Sequence, residues 1–274
     1  MLLLAAVLWS LAGVFIKFLS LHPLTIVFYR SLFASAFFLF FCGRSRALPL
    51  RPLLLAIVSY TVAISAFVAA NKLTTAANAI VLQYTAPIFV FVLVRFLFRE
   101  RIARVNWICL VFGMSGITVI FSGSPGQPDA AGVLIALLSG ALFSIYMVSL
   151  RFLKGVHAGS LTFMTNLACW LILLPLVGTE LQVSPRELTI LAVMGVIQLG
   201  IPYWLFLKGL ETINLLEASL IVLIEPVLNP VWVALAVGEI PSVATFVGGA
   251  LIIASLGFRY LSQLLRRSAD GRGI

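Results

Sequence analysis

Apolar stretches about twenty residues long, enough to cross a bilayer as helices, follow one another along nearly the whole chain. No other feature narrows the possible folds as much. Turn residues and charges divide the sequence into ten such segments, at 1–20, 24–42, 53–71, 77–98, 105–122, 131–150, 160–177, 188–208, 214–237 and 243–261. The connectors, such as "SLHP", "RERIAR" and "VGEIPS", are too short to hold a folded domain outside the membrane. Composition agrees: 62% of residues are hydrophobic and 10% charged, where a soluble domain carries about 25% charge. The expected class is an all-α polytopic membrane protein with ten transmembrane helices, working inside the bilayer.

Orientation follows from the cations. With the N-terminus inside, the cytoplasmic side receives Arg44, Arg46, Arg51, Arg95, Arg99, Arg101, Arg104, Arg151, Lys154, Lys208, Arg259, Arg266, Arg267 and Arg272. Only Lys17, Arg30, Lys72 and Arg186 remain outside. That asymmetry obeys the positive-inside rule, so both termini are expected to be cytoplasmic. It also accounts for the net charge of +9 without a nucleic-acid partner. Cys42, Cys109 and Cys169 all fall in apolar spans, as small buried hydrophobes do, which argues against a disulfide framework. The opening "MLLLAAVLWSLAGVFIKFLS" lacks a basic n-region and a cleavage site, and is read as a first membrane helix.

One segment looks unsuited to lipid. "EPVLNPVWVALAVGE" (225–239) sets an acid, two prolines and an amide among Val, Leu, Ala and Trp. A carboxylate at mid-membrane costs about 2.5–3.5 kcal/mol, and an interior proline about 3 kcal/mol in a soluble helix. The first half of the chain holds a counterpart. "EPVLNPVWVALAVGEI" aligns with "APIFVFVLVRFLFRERI" from Ala86, matching Pro226 to Pro87 and Glu239 to Glu100. "WSLAGVFIKF" (9–18) aligns with "FSIYMVSLRF" (143–152), matching Ser10 to Ser144 and Lys17 to Arg151. Two five-helix halves are therefore expected, 1–125 and 126–274, divided near the "SGSPGQPDA" loop. Five is odd, so the second half enters the membrane from the opposite side. Inverted repeats of this kind are an architecture of secondary transporters. A duplicated bundle with only a scaffolding role is the competing reading.

These residues resemble a known family. The ten spans, Trp9-Ser10 in the first helix, "FYRSLFA" in the second and the repeated proline followed by "RE" or "GE" are similar to the EamA-type carriers of the drug/metabolite transporter superfamily. The resemblance covers the full chain and implies export of amino acids, metabolites or drugs from the bacterial cytoplasm. General likeness is greatest to the YddG-type aromatic amino acid exporters. Ala86 stands where the family frequently has Glu before the proline, so the shared mechanism does not require a carboxylate there.

Helical spacing puts Ala218, Val222, Glu225, Asn229 and Trp232 on one stripe of the ninth segment, and Ala79, Gln83, Ala86 and Val90 on the matching stripe of the fourth. Small residues mixed with a polar group suit a cavity wall or close helix packing. Pro87, Pro226 and Pro230 withdraw backbone donors and are expected to hinge the helices lining the route. Glu225 offers a substrate amine contact or a proton site; a structural carboxylate bonded to its neighbours is an equal alternative. Gln83 and Asn229 either bond substrate or tie helices together. Asn78 and Tyr84, on other faces of the fourth helix, are weaker candidates. Ser10 and its match Ser144, with Trp9, Trp170 and Trp232 away from the interfaces, complete the cavity-lining set. The tryptophans either stack on a planar substrate or simply pack. Trp107 and Trp204 read as belt residues. Arg30 is read as snorkelling to the outer surface, with a substrate carboxylate at the outer mouth as the alternative.

The sequence has no P-loop, no metal-spaced His/Cys cluster, and no second intramembrane acid to pair with Glu225. Neither an enzyme nor a cofactor is expected. The expected function is an alternating-access secondary transporter of the bacterial inner membrane. It would export small metabolites, with aromatic or other neutral amino acids as the first guess. Its partners are a small-molecule substrate and the lipid bilayer; the oligomeric state is open, a monomer being compatible. The alternatives are a carrier for nucleotides, sugars or drug-like cations, and a sensor or assembly subunit that transports nothing.

Overall fold

The computed structural model describes residues 1–43, 49–97, 99, 104–122, 129–153, 156–209 and 224–269. Among these, all regular structure is helical. Six stretches are long and apolar enough to cross a membrane: Pro23–Phe41, Leu50–Leu73, Ala76–Leu97, Ala130–Ser149, Ala158–Val177 and Pro185–Phe206. Four shorter apolar stretches, Leu2–Phe18, Val111–Ile120, Glu225–Val237 and Val243–Ser255, fall on the remaining expected segments. The protein is a multi-pass helical membrane protein. One face of the Leu50–Leu73 span is exposed and apolar, at Leu54, Leu55, Val58 and Val62, while Tyr60, Ala63 and Phe67 of the same helix are buried. Ala218, Val222, Glu100, Arg44, Arg46, Arg101, Lys154, Arg272 and the connector at 123–128 lie outside the described residues.

Three expected spans are interrupted rather than continuous. The first consists of α1 (Leu2–Ser10) and α2 (Ala12–Phe18), broken at Leu11, whose N–H bonds the Leu8 carbonyl one residue short of the helical register. After α3 (Pro23–Phe38) and α4 (Leu50–Leu73), the fourth span divides into α5 (Ala76–Gln83) and α6 (Ala86–Leu97) at Tyr84–Thr85. Pro87 has no N–H to offer the Gln83 carbonyl, so the α-helical ladder cannot run through. Then come α7 (Arg104–Ser122), α8 (Asp129–Ser149) and α9 (Ala158–Val177). The eighth span holds α10 (Pro185–Val193), a π-helical stretch at Met194–Gly200 and α11 (Ile201–Gly209). α12 (Glu225–Val237) and α13 (Val243–Ala269) follow. Pro226 occupies the second position of α12, and Pro230 lies within it without breaking it.

The helices α6 and α12 start alike, one in each half. In the first, the Thr85 carbonyl accepts from the N–H of Ile88 at 2.8 Å and of Phe89 at 3.3 Å. In the second, the Ile224 carbonyl accepts from Val227 at 3.1 Å and Leu228 at 2.9 Å. These are the positions that the Pro87/Pro226 alignment pairs.

Packing follows the same exchange. α3 packs on α9, α5 on α12, and α7 on α13, each a pairing of repeat-matched segments. α4 packs on α8 and α1 on α11, and exchanging the halves converts one of these pairings into the other. The α7–α13 seam is self-complementary in detail. A Cβ on Gly116 would lie 2.5 Å from the Gly248 carbonyl oxygen and 2.7 Å from Ile252 Cγ1. A Cβ on Gly248 would lie 2.5 Å from the Gly116 oxygen and 2.6 Å from Ile120 Cγ1. Residue i meeting j while j meets i is what a two-fold contact requires, and small residues let such backbones touch.

Candidate functional site

The breaks of the first and fourth spans both lie against α12. Glu225 opens α12, where the exposed N–H groups of a helix start favour an acid. Its Oε2 accepts a hydrogen bond from the Tyr84 hydroxyl at 2.6 Å, at the α5–α6 break. One turn on, Asn229 Nδ2 donates to the Ser10 carbonyl at 2.9 Å, and Trp232 Nε1 donates to Ser10 Oγ at 2.9 Å, beside the α1–α2 break. The approach is close. A Cβ on Gly13 would sit 2.8 Å from Asn229 Oδ1, so α12 rests on bare α2 backbone. The stripe Glu225–Asn229–Trp232 therefore faces the first and fourth spans together.

The remaining candidates are placed differently. Trp9 sets its ring against Tyr203, centroids 5.1 Å apart, and against Phe206 at 5.4 Å. Gln83 Nε2 donates to Ser139 Oγ at 3.3 Å, and Ser139 Oγ donates to the Ala63 carbonyl at 2.8 Å, tying α5, α8 and α4. Ser144 is fully buried and bonds the Ala141 carbonyl of its own helix at 2.6 Å. Trp170 Nε1 donates to Ser35 Oγ at 3.2 Å across the α9–α3 seam. Asn78 Oδ1 accepts from Thr245 Oγ1 at 2.7 Å near one end of the bundle, away from Glu225. Cys42, expected among the buried hydrophobes, is exposed because the helical rise ends at Phe41.

Several site residues escaped the sequence reading. Tyr60 Oη donates to Asn166 Oδ1 at 3.2 Å, joining α4 to α9. The Tyr60 and Tyr146 rings lie 5.3 Å apart. Gln198, in the π-helical stretch, donates from Nε2 to the Trp9 carbonyl at 3.2 Å. π-helical turns are frequent at functional sites because they re-aim side chains out of register. The available signal was a lone amide within an apolar run, present for both Asn166 and Gln198.

Arg30 departs most from expectation. It does not reach the surface: the residue is 3% exposed. The π-helical stretch of the eighth span covers α3 at this turn, where a Cβ on Gly195 would lie 2.9 Å from the Arg30 carbonyl oxygen. Its Nε has no hydrogen-bond partner, and no acid pairs with it among the described residues.

The two ends of the bundle differ. At one, Lys17 Nζ pairs with Glu239 Oε2 at 2.6 Å and donates to the Thr74 carbonyl at 2.9 Å. Glu239 Oε1 also accepts from the Ala76 N–H at 2.6 Å, at the start of α5. Lys72 donates to the Leu19 carbonyl alongside. This polar lock ties α2 and α5 to the α12–α13 connector. At the other end lies a cleft of about 540 Å³, lined among others by Phe38, Phe41, His157, Trp204 and Lys208. The Phe38 ring contacts Tyr203, centroids 6.4 Å apart, so the cleft adjoins the central aromatic set.

Comparison with known proteins bears on what such a site does. The sequence model of the EamA-like transporter family matches residues 1–122 and again residues 130–260. An uncharacterized transporter of Archaeoglobus fulgidus is 25% identical over 260 residues, covering 92% of each chain. The uncharacterized transporter YdfC of Bacillus subtilis is 28% identical over 200 residues, 70% of this chain and 64% of that one. An uncharacterized transporter of Clostridium kluyveri is 24% identical over 219 residues, 76% of this chain and 70% of the relative. A solved crystal structure superimposes with a TM-score of 0.68 over 96% of both chains at 22% identity, a likeness of fold alone.

Proposed function

The chain belongs to the EamA-like transporter family, and from that premise we propose that it exports aromatic or other neutral amino acids by alternating access, as the YddG-type exporters to which it was likened do. The bacterial inner membrane is the proposed location. In this reading ten spans form two inverted halves, 1–125 and 126–274, with both termini cytoplasmic. The reciprocal Gly116–Gly248 contact and the matched helix starts after Thr85 and Ile224 support the inversion.

The observation that carries the mechanism is the convergence of breaks on α12 between a locked end and an open one. The lock of Lys17 and Glu239 is the outer end, and the cleft at Trp204 and Lys208 is the cytoplasmic mouth. Substrate enters from the cytoplasm among Trp9, Tyr203 and Tyr60, whose rings suit a planar side chain. Glu225 accepts the substrate ammonium in exchange for the Tyr84 hydroxyl. The half-helices α6 and α12 swing at Pro87 and Pro226, and the outer lock parts. Asn229, Trp232 and Ser10 hold the moving helix to the first span, with Pro230 keeping a carbonyl free within it. Gln83, Ser144, Asn78 and Trp170 line or brace the route.

Efflux from liposomes containing only this protein, loaded in parallel with phenylalanine, tryptophan, leucine, a sugar, a nucleotide and a cationic drug, tests the reading. Saturable efflux of the amino acids is expected. Efflux confined to sugar, nucleotide or drug, or absent for all, contradicts it.

A further inference from the structure

Among the described residues, the acid Glu225 and the cation Arg30 both lie within the bundle, and their situations differ. Glu225 sits at a helix start and accepts a hydroxyl hydrogen bond. Both partly offset the cost of holding a carboxylate there. Arg30 has no such offset. It is 3% exposed, with its Nε unpartnered and no acid paired to it among the described residues. A guanidinium does not escape by losing its proton. An orphaned buried charge persists where a ligand visits it.

Its surroundings indicate which ligand. The Arg30 charge lies within electrostatic reach of Tyr60, Tyr203 and Cys169, on three other spans. Tyr203 is also within reach of Glu225 and touches Trp9. Arg30 and Glu225 thus share Tyr203 as a neighbour, a cation on one side and an acid on the other. A planar fork with parallel donors matches a carboxylate bidentately. One cation facing one acid suits a singly charged carboxylate carried on a small apolar or aromatic body. A phosphate, doubly charged, would meet a single cation and the repulsion of Glu225.

We propose that Arg30 is the carboxylate anchor of the central site, holding an aromatic monocarboxylate by its acid group beside Tyr60 of α4 and Tyr203 of α11. The assignment rests on the transport reading above for its purpose, but its chemistry is testable without flux.

The test measures binding to the purified full-length protein by titration calorimetry and by ligand-induced thermal stabilisation. Benzoate, phenylacetate and phenylalanine are each compared with the matching amide. Binding of at least one carboxylate about tenfold or more tighter than its amide is expected, the value of one charge-assisted hydrogen-bond pair. Arg30→Gln is expected to erase that ratio, while Arg30→Lys keeps part of it. The ratio, rather than the affinity, is read, so a general loss of packing does not imitate the result. Should Arg30→Gln fail to fold, the wild-type ratio and that of Arg30→Lys decide. Equal binding of every acid and its amide to the wild type overturns the anchor, as does a ratio that survives in Arg30→Gln. Benzoate preferred over benzamide, with no phenylalanine efflux from liposomes, keeps the anchor and removes the amino acid reading. Phenylalanine efflux with every acid bound no tighter than its amide does the reverse.

Discussion

The hydroxyl of Tyr84 bonds the Glu225 carboxylate at 2.6 Å, and in the proposed mechanism it gives way there to a substrate ammonium. Replacing it with Phe removes that bond without changing the ring. Tyr84→Phe is therefore expected to lower stability by about 1.5–3 kcal/mol, the worth of a hydrogen bond to a charged group, read as the denaturant midpoint of the detergent-solubilised protein. Glu225→Gln keeps an oxygen acceptor for Tyr84 and should change stability far less, while reducing efflux of amines and zwitterions. An efflux assay that shows full rates in Glu225→Gln removes the ammonium contact. Gly13 adds a constraint of the same scale. A valine there would collide with Asn229, whose Oδ1 and Nδ2 both lie within 3.0 Å of the place its Cβ would take. Overpacking of this kind costs about 1–3 kcal/mol, and Gly13→Val is expected to fall in that range.

At the scale of elements, breaks and seams matter more than the helices themselves. The apolar segments and the repeat were legible because both are one-dimensional patterns: hydropathy over twenty residues, and matching residues at a near-constant offset. The break at Tyr84–Thr85 was legible because Pro87 marked it. Nothing local announces the interruption at Leu11, which carries neither glycine nor proline at the turn. Nor does Met194–Gly200 announce its π-helical register. Tyr84 was assigned to another face of the fourth helix because a continuous helix turns about 100° per residue; the break at Tyr84–Thr85 abolishes that count and turns the residue to Glu225. Arg30 was misjudged for a different reason. Its burial comes from the eighth span covering α3, a contact between segments far apart in sequence. The α7–α13 seam gives a prediction at this scale. Gly116→Leu and Gly248→Leu each force apart backbones already in contact, and the reciprocal geometry predicts losses of similar size, about 1–3 kcal/mol apiece. Thermal unfolding of the two variants checks it; a large difference between them would mean that the seam is not two-fold. Restoring continuity tests the breaks: Pro87→Ala and Pro226→Ala should raise helix content by circular dichroism while slowing efflux.

For the whole molecule, the proposed alternating access rests on the five-segment halves. Exchanging them carries the α3–α9, α5–α12, α7–α13, α4–α8 and α1–α11 pairings into themselves or one another; in that proposal a bundle with one end closed has a partner conformation with that end opened. The residues of the lock, Lys17 and Glu239, match Arg151 and Glu100 in the sequence of the other half, again a cation and an acid. The lock is partly exposed, 17% and 21% for its two side chains. Such a pair contributes roughly 0–1 kcal/mol, enough to bias an equilibrium without freezing it. Glu239→Gln is expected to favour opening of that end and to leave the fold intact, read as faster labelling of a cysteine placed at position 10 by an impermeant thiol reagent in oriented vesicles.

Holding the lock shut by a covalent link tests the alternating-access claim most directly. The protein would carry cysteines at 17 and 239, with Cys42, Cys109 and Cys169 replaced by serine, and would be joined by a short cleavable bis-methanethiosulfonate. Efflux from liposomes should stop on linking and return on reduction, while substrate binding from the cytoplasmic mouth persists throughout. Undiminished efflux with the link in place would mean that solute never passes between these residues, and the account of two ends opening in turn would be wrong.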